Sequence, residues 1–313
     1  MMRQAGRYLP SYQKIRANHT LIDMFRTPEI IAEVTALPLE LGFDAAILFS
    51  DIAIVADALG LDLIFDPGPR VTTQVKSPQD LVPTSAAQSL SFVRRGIELL
   101  KPMLDVPLIG FCGGPFTVAT YLIGGGQDAA KQWIDRDPKN FHEILEVITT
   151  VSIDYLMMQI DAGADAIQLF DSWAGMLPPE HFQEFCLPYL GKMVKAVKAR
   201  NIPVTVFTRN SSLYVKELAS IEPTAISFDW MRDLHTIEKE LPEGIAIQGN
   251  LDPEILRGAI EGVTKAAMEM VESMSGRKNY IANLGHGVLP DTPVENVVTF
   301  LNIVKNGAHC PSA

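Results

Sequence analysis

Six polar side chains stand just beyond short apolar runs in this 313-residue chain: Asp51, Ser172, Arg209, Asp229, Asn250 and His286. If those runs are parallel strands wrapped by helices, their C-terminal ends open on one cavity, and an acid, a base, hydroxyls and an amide share its rim. The set lacks metal-centre spacing, with no His-x-x-x-His and no paired cysteines beside a histidine. A second group opens the chain. Arg3, Arg7, Lys14 and Arg16 fall within the first sixteen residues with no acid among them, in a protein of net charge −11. Two guanidiniums four residues apart suit a grip on carboxylates through paired N–H forks, and Gly6 between them lets the backbone approach a ligand. The plainer alternative is a solvated basic terminus.

The elements that must position these groups are legible as a repeated pattern. Ala45–Phe49 runs into Ser50 and Asp51, Val106–Phe111 into Cys112-Gly113-Gly114-Pro115, and Ala166–Phe170 into Asp171 and Ser172. Val204–Phe207 ends in Thr208-Arg209-Asn210, Ala225–Phe228 in Asp229-Trp230, Ile245–Ile247 in Gln248-Gly249-Asn250, and Tyr280–Leu284 in Gly285-His286-Gly287. A short apolar run ending abruptly in polar residues is how a strand buried on both faces looks when its tip reaches a functional surface. Helical patterns fill the gaps. Thr27-Pro28-Glu29 reads as a helix start that Gly42 stops, and Asp137-Pro138 opens a stripe of Phe141, Ile144, Leu145, Ile148, Val151, Tyr155 and Leu156 closed by Gly163. Asp252-Pro253 and Thr292-Pro293 open two more. The alternation predicts an α/β fold with parallel strands, one domain over residues 1–313, and an excursion over residues 61–80, around Leu61–Phe65.

Bulk properties narrow the class. The chain is 47% hydrophobic and 20% charged, an ordinary globular composition. No apolar run approaches the ~18 residues of a membrane span, and the polar, basic start predicts no secretory signal. Cys112, Cys186 and Cys310 are scattered and odd in number, which favours a reducing, cytoplasmic setting over a disulfide framework or a cysteine-rich zinc site. The acidic balance argues against nucleic acid as a partner and makes a local basic pocket for an anionic ligand more telling.

Arg3-Gln4-Ala5-Gly6-Arg7-Tyr8-Leu9-Pro10 resembles the signature of the uroporphyrinogen decarboxylase family. Further stretches resemble the same family in the same order: Leu48-Phe49-Ser50-Asp51-Ile52, Gly113–Tyr121, Leu169-Phe170-Asp171-Ser172 and Tyr280–Gly287. The resemblance implies a (β/α)8 TIM barrel. Only seven runs are visible, and family members carry a further N-terminal segment, so Met1–Arg3 is expected to be the stump of a truncated first strand, with Arg3 and Arg7 at its mouth.

The resemblance further implies cofactor-independent decarboxylation of the four acetate arms of uroporphyrinogen III, giving coproporphyrinogen III, by a homodimer whose active clefts face each other. No metal is implied. Catalytic roles fall on Asp51, Tyr121 and His286, and substrate binding on Arg3, Gln4, Ala5, Gly6, Arg7 and Ser172 as well. Plainer roles are available for four of these: Asp51 or Ser172 as a helix cap, Tyr121 as a core residue, His286 as packing. Arg209 has no counterpart placed in the family and reads as a structural cation. Two rivals are a methyltransferase on a similar barrel, which needs a zinc thiolate site with His-x-Cys that this sequence lacks, and a tetrapyrrole carrier without catalysis, which has no need of a buried aspartate.

Overall fold

A computed structural model describes residues 1–65 and 68–307. All seven expected runs form strands: β1 (Ala46–Ile47), β4 (Leu108–Gly113), β5 (Ala166–Phe170), β6 (Val204–Phe207), β7 (Ala225–Ser227), β8 (Ala246–Leu251) and β9 (Tyr280–Leu284). The excursion is a small antiparallel hairpin, β2 (Leu63–Phe65) with β3 (Pro69–Val71), in which Leu63 faces Val71. The seven strands make one parallel sheet in the order β1-β4-β5-β6-β7-β8-β9. Each new strand adds on the same side of the last, so the sheet has no point where the strand order reverses, unlike a doubly wound fold.

Side chains three strands apart prove that this sheet curls. Gln248 Nε2 on β8 donates to Gln168 Oε1 on β5 at 3.2 Å and to Ser227 Oγ on β7 at 3.0 Å. In a flat sheet, strands three apart lie roughly 14 Å from one another. The same closure brings the ring of His286, beyond β9, within 5.6 Å of the Phe207 ring on β6. The concave interior is therefore a packed layer in which the buried amides satisfy one another.

The N-terminal residues lie between the two edge strands. Val288 N–H, just past β9, donates to Met2 O at 3.1 Å, and Gln4 Nε2 donates to Ala45 O beside β1 at 3.1 Å. They are not a strand stump, however. Gln4 N–H bonds back to Met1 O and Arg3 has φ +60°, the geometry of a turn rather than of extended backbone.

Helices form where the caps predict. Asp137 accepts from Asn140 N–H to start the Pro138–Ala162 helix, and Gly163 at φ +120° ends it. Its whole predicted apolar stripe is buried, and Gln159 in its last turn exchanges two hydrogen bonds of 3.0 Å with the Phe111 backbone, fixing this helix to β4. The helix begun at Thr27 runs as Pro28–Ala36 and tightens into a Leu37–Leu41 turn before stopping at Gly42. Neither Thr27 nor Thr292 caps its helix with its side chain: the Thr27 hydroxyl donates back to Asp23 O, and among the described residues the buried Thr292 hydroxyl has no partner. Among the described residues no helix is long and apolar enough to cross a membrane. Cys310 lies outside the described residues, while Cys112 and Cys186 are free and buried.

Candidate active site

Asp51 follows β1, the strand next to the N-terminal turn. Its Oδ1 accepts from Ala53 N–H at 2.8 Å, and among the described residues Oδ2 has no donor. The residue keeps a partial opening to solvent, yet burial pushes its carboxyl up to about 6, against the lowering effects of the Ala53 hydrogen bond and of the Arg3 charge. A carboxylate so placed is costly to ionise and has its charge only partly answered.

Arg3 is the hub of the surrounding charges. Burial lowers its pKa, the positive charge of Arg7 lowers it further, Tyr121 raises it, Arg209 lowers it and Asp51 raises it. Guanidiniums stay protonated, so the repulsion among Arg3, Arg7 and Arg209 is a demand for anions that one aspartate does not meet. Arg7, Tyr121, Arg209, Asp51 and His286 are thus each within electrostatic reach of Arg3, and His286 is within reach of Arg209 as well.

His286 is fixed in one tautomer. Gly287 N–H donates to Nδ1 at 2.7 Å, so in the neutral ring the proton sits on Nε2, and among the described residues that buried atom has no partner. Burial first, then the charges of Arg3 and Arg209, push its pKa down to about 4. At neutral pH this imidazole is an uncharged donor.

Tyr121 lies on the Pro115–Leu122 helix, and its hydroxyl accepts from Trp173 Nε1 at 3.3 Å. That helix has glycine at its N-cap and no side-chain cap of its own. Asp171, at the tip of β5, supplies one from outside: Oδ1 accepts from Thr117 N–H at 2.7 Å. Burial pushes the Asp171 carboxyl up to about 6, with the Thr117 and Phe116 contacts opposing. Sequence reasoning passed over Asp171 in favour of its neighbour Ser172. The available signal was the Gly114-Pro115 helix start, which lacks a capping side chain.

The other expected residues divide. Ser172 does not cap the short helix that follows it; its carbonyl accepts from Arg209 N–H at 3.3 Å. Gln4 is buried with both ends of its amide engaged, by Ala45 O and by the Met1 amino group, so its side chain ties the N-terminal turn down. Ala5 is buried in the core. A Cβ on Gly6 would stand 2.6 Å from Arg3 O, so this glycine admits the chain's own backbone. Asp229 and Asn250 are spent on loop structure. Asp229 takes Ser212 Oγ at 2.7 Å and Met231 N–H at 3.0 Å, while Asn250 Nδ2 donates to Asp229 O and Arg232 O. Arg209 and Trp173 enter instead: the Arg209 guanidinium lies 4.4 Å from the Trp173 ring centroid. Among the described residues no three His, Cys, Asp or Glu side chains converge as a metal would require.

Solved structures of two methyl-transfer proteins share the fold. A methyltransferase from Methanosarcina mazei superposes with a TM-score of 0.79 at 22% identity, over 91% of this chain and 90% of that one. A B12-independent methionine synthase from Shewanella gives 0.58 at 12% identity, over 90% and 86%. Likeness this remote speaks for the fold alone. Sequence comparison is far closer. The uroporphyrinogen decarboxylase of Protochlamydia amoebophila is 42% identical over 97% of this chain and 86% of its own, and that of Vesicomyosocius okutanii 39% identical over 97% and 92%. The family model for uroporphyrinogen decarboxylase matches residues 1–307. A match spanning the N-terminal turn, every strand of the sheet and the last helix leaves no described element outside it: the chain belongs to the uroporphyrinogen decarboxylase family.

Proposed function

We propose that this protein removes carbon dioxide from the four acetate side chains of uroporphyrinogen III, yielding coproporphyrinogen III, with no metal or organic cofactor. The observation that carries the reading is a gathering of one carboxylate with several cations and neutral donors: Asp51, Arg7, Tyr121 and Arg209 each act on the charge of Arg3, and the space between them is read as the substrate cleft. The substrate presents matching charges, with pyrrole N–H donors at its centre and carboxylates at its rim. The seven strands and the N-terminal turn act as one eight-unit (β/α)8 barrel, a single domain, with this cleft at its mouth.

Loss of carbon dioxide leaves an electron pair that needs a sink. A pyrrole protonated on ring carbon becomes an iminium conjugated to the breaking bond. The pair moves into the ring, the exocyclic carbon then takes a proton, and the ring proton is returned. Each turn consumes one proton and converts an acetate into a methyl group and carbon dioxide. Asp51 accepts from the pyrrole N–H groups and stabilises the cation as it forms, which counts for more in a cavity shielded from water. Arg3 and Arg7 hold peripheral carboxylates, supplying orientation through binding remote from the reacting bond. Tyr121 and Ser172 add directional hydrogen bonds. His286, neutral and with Nε2–H to offer, donates a hydrogen bond and is not the acid that protonates the ring.

Arg7→Ala should raise KM by roughly tenfold, the scale of one charge-assisted carboxylate contact, with a smaller change in kcat. Steady-state kinetics on uroporphyrinogen check this; unchanged KM and kcat would remove Arg7 from substrate capture.

The active form is a homodimer with the two clefts facing each other. Its support is an apolar rim beside the mouth, where Met176, Leu213, Trp230 and Met231 are exposed on the connected loops after β5, β6 and β7. Light scattering should give twice the chain mass of 34.4 kDa, and Met231→Glu should shift it toward the monomer. A monomeric wild type contradicts the assembly. The buried, free Cys112 and Cys186 suit a reducing, cytoplasmic setting.

The function is tested by anaerobic incubation with uroporphyrinogen III, followed by chromatography of the oxidised porphyrins by carboxyl number. Stepwise loss of carboxyl groups to the four-carboxyl product is expected. Recovery of the substrate unchanged would refute it.

A further inference from the structure

We propose that the Arg209 guanidinium is a third carboxylate-binding cation of the cleft, held in position by the indole of Trp173. The inference rests on the reading that the cleft takes a polycarboxylated tetrapyrrole. It assigns a contact to a residue that the sequence motifs leave out.

Three geometric facts support it. First, Arg209 is clamped at its backbone. Its N–H donates to Ser172 O at 3.3 Å, its carbonyl accepts from Thr208 Oγ1 at 3.0 Å, and a Cβ on Gly175 would collide with that carbonyl oxygen. The tips of β5 and β6 therefore approach as closely as glycine allows.

Second, the platform beneath the side chain is itself immobilised. Trp173 N–H donates to Thr117 Oγ1 at 2.9 Å, and its indole Nε1–H donates to Tyr121 OH. Arg209 Cζ stands 4.4 Å from the indole centroid, a cation–π contact that covers one face of the guanidinium and leaves its N–H edges free.

Third, those edges have no carboxylate. Arg26, Arg200, Arg232, Arg257 and Arg277 each pair with an acid, but among the described residues Arg209 has no ion-pair partner. A cation serving only the fold would be expected to have one. Instead it shares the cleft with Arg3 and His286, on which its charge acts. A half-buried, preorganised, unpaired guanidinium beside two further arginines is a seat for an anion.

Position gives the contact its role. Arg3 and Arg7 approach from the N-terminal turn beside β1, whereas Arg209 comes from β6 across the curled sheet. Carboxylates at separated points on one macrocycle can thus be held at once, which fixes its rotation in the cleft as well as its depth.

The test is Arg209→Gln and Arg209→Lys, assayed with uroporphyrinogen III and, independently of turnover, for coproporphyrin binding by quenching of tryptophan fluorescence. Arg209→Gln should raise KM and weaken porphyrin binding by roughly tenfold or more, with kcat changed less than KM. Arg209→Lys, keeping the charge but losing the planar fork, should restore part of the affinity. A wild-type protein that leaves uroporphyrinogen intact overturns the functional reading. Wild-type turnover alongside Arg209→Gln with unchanged KM and porphyrin affinity overturns this inference alone. If Arg209→Gln fails to fold, Arg209→Lys decides, since unchanged KM and affinity in that variant are incompatible with a bidentate contact.

Discussion

Replacing Asp51 by Asn leaves the fold intact and cuts decarboxylation of uroporphyrinogen by about a hundredfold or more, the scale of losing a preorganised electrostatic contact to a developing charge. The substitution keeps size and the hydrogen bond from Ala53 N–H while removing the charge that meets the cationic intermediate. The effect belongs in kcat, because the cation exists in the transition state and not in the bound substrate. pH supplies an independent signature. Burial places the Asp51 carboxyl at about 6, so its active, ionised form is lost as pH falls through that value. In the wild type, kcat/KM should therefore fall below about pH 6, and the limb should be missing from Asp51→Asn. His286, pushed down to about 4, stays neutral across this window and does not generate the limb. Near-normal turnover in Asp51→Asn would remove Asp51 from the mechanism.

Asp171→Ala is expected to cost about 2–3 kcal/mol of stability at pH 7, the scale of a buried charged hydrogen bond together with the donor it leaves behind. The carboxylate caps the Pro115–Leu122 helix from a neighbouring strand, and without it the Thr117 N–H is buried and unpaired. Its pH dependence has a definite sign. A folded-state pKa raised to about 6 means that the native chain binds a proton the unfolded chain has already released. This contribution is fully present below about pH 4 and is lost as pH rises through 6. The gap between wild type and Asp171→Ala should accordingly be wider at pH 4 than at pH 7 in urea unfolding. A gap that narrows in acid would mean that the carboxylate is held ionised by a partner. The same variant frees the helix that carries Tyr121, so turnover should fall along with stability.

What the sequence made legible follows from how local each signal was. Strands buried on both faces announce themselves as apolar runs, and all seven runs hold a strand; β5 spans Ala166–Phe170, the run as read, whereas β1 stops at Ile47, short of Phe49, and β8 continues through the expected tip to Leu251. Asp137-Pro138 and Gly163 bound their helix because a cap is a matter of neighbouring residues. The eighth strand was expected at Met1–Arg3 by counting, but the left-handed backbone of Arg3 bends those residues into a turn between the two sheet edges.

Site residues were readable where a motif names them and hidden where only closure of the sheet does. Asp51 and His286 stand beyond strand tips, and both feel the charge of Arg3. Gln4 lies in the same motif as Arg3, yet its amide is consumed by Ala45 and the amino terminus, contacts that require the folded edges to meet. Asp229 and Asn250 share the strand-tip signature but are absorbed by their own loops. Arg209 looks like any surface cation until Trp173, thirty-six residues earlier, is brought beneath it. No spacing rule links two residues on different strands.

The most direct test is a structure of the protein bound to coproporphyrinogen III, held reduced under anaerobic conditions. One macrocycle should sit in the cleft with its pyrrole nitrogens about 2.6–3.2 Å from the Asp51 carboxylate and with peripheral carboxylates on the arginine side chains. A macrocycle whose nitrogens face away from Asp51, or which binds elsewhere on the molecule, would contradict the account.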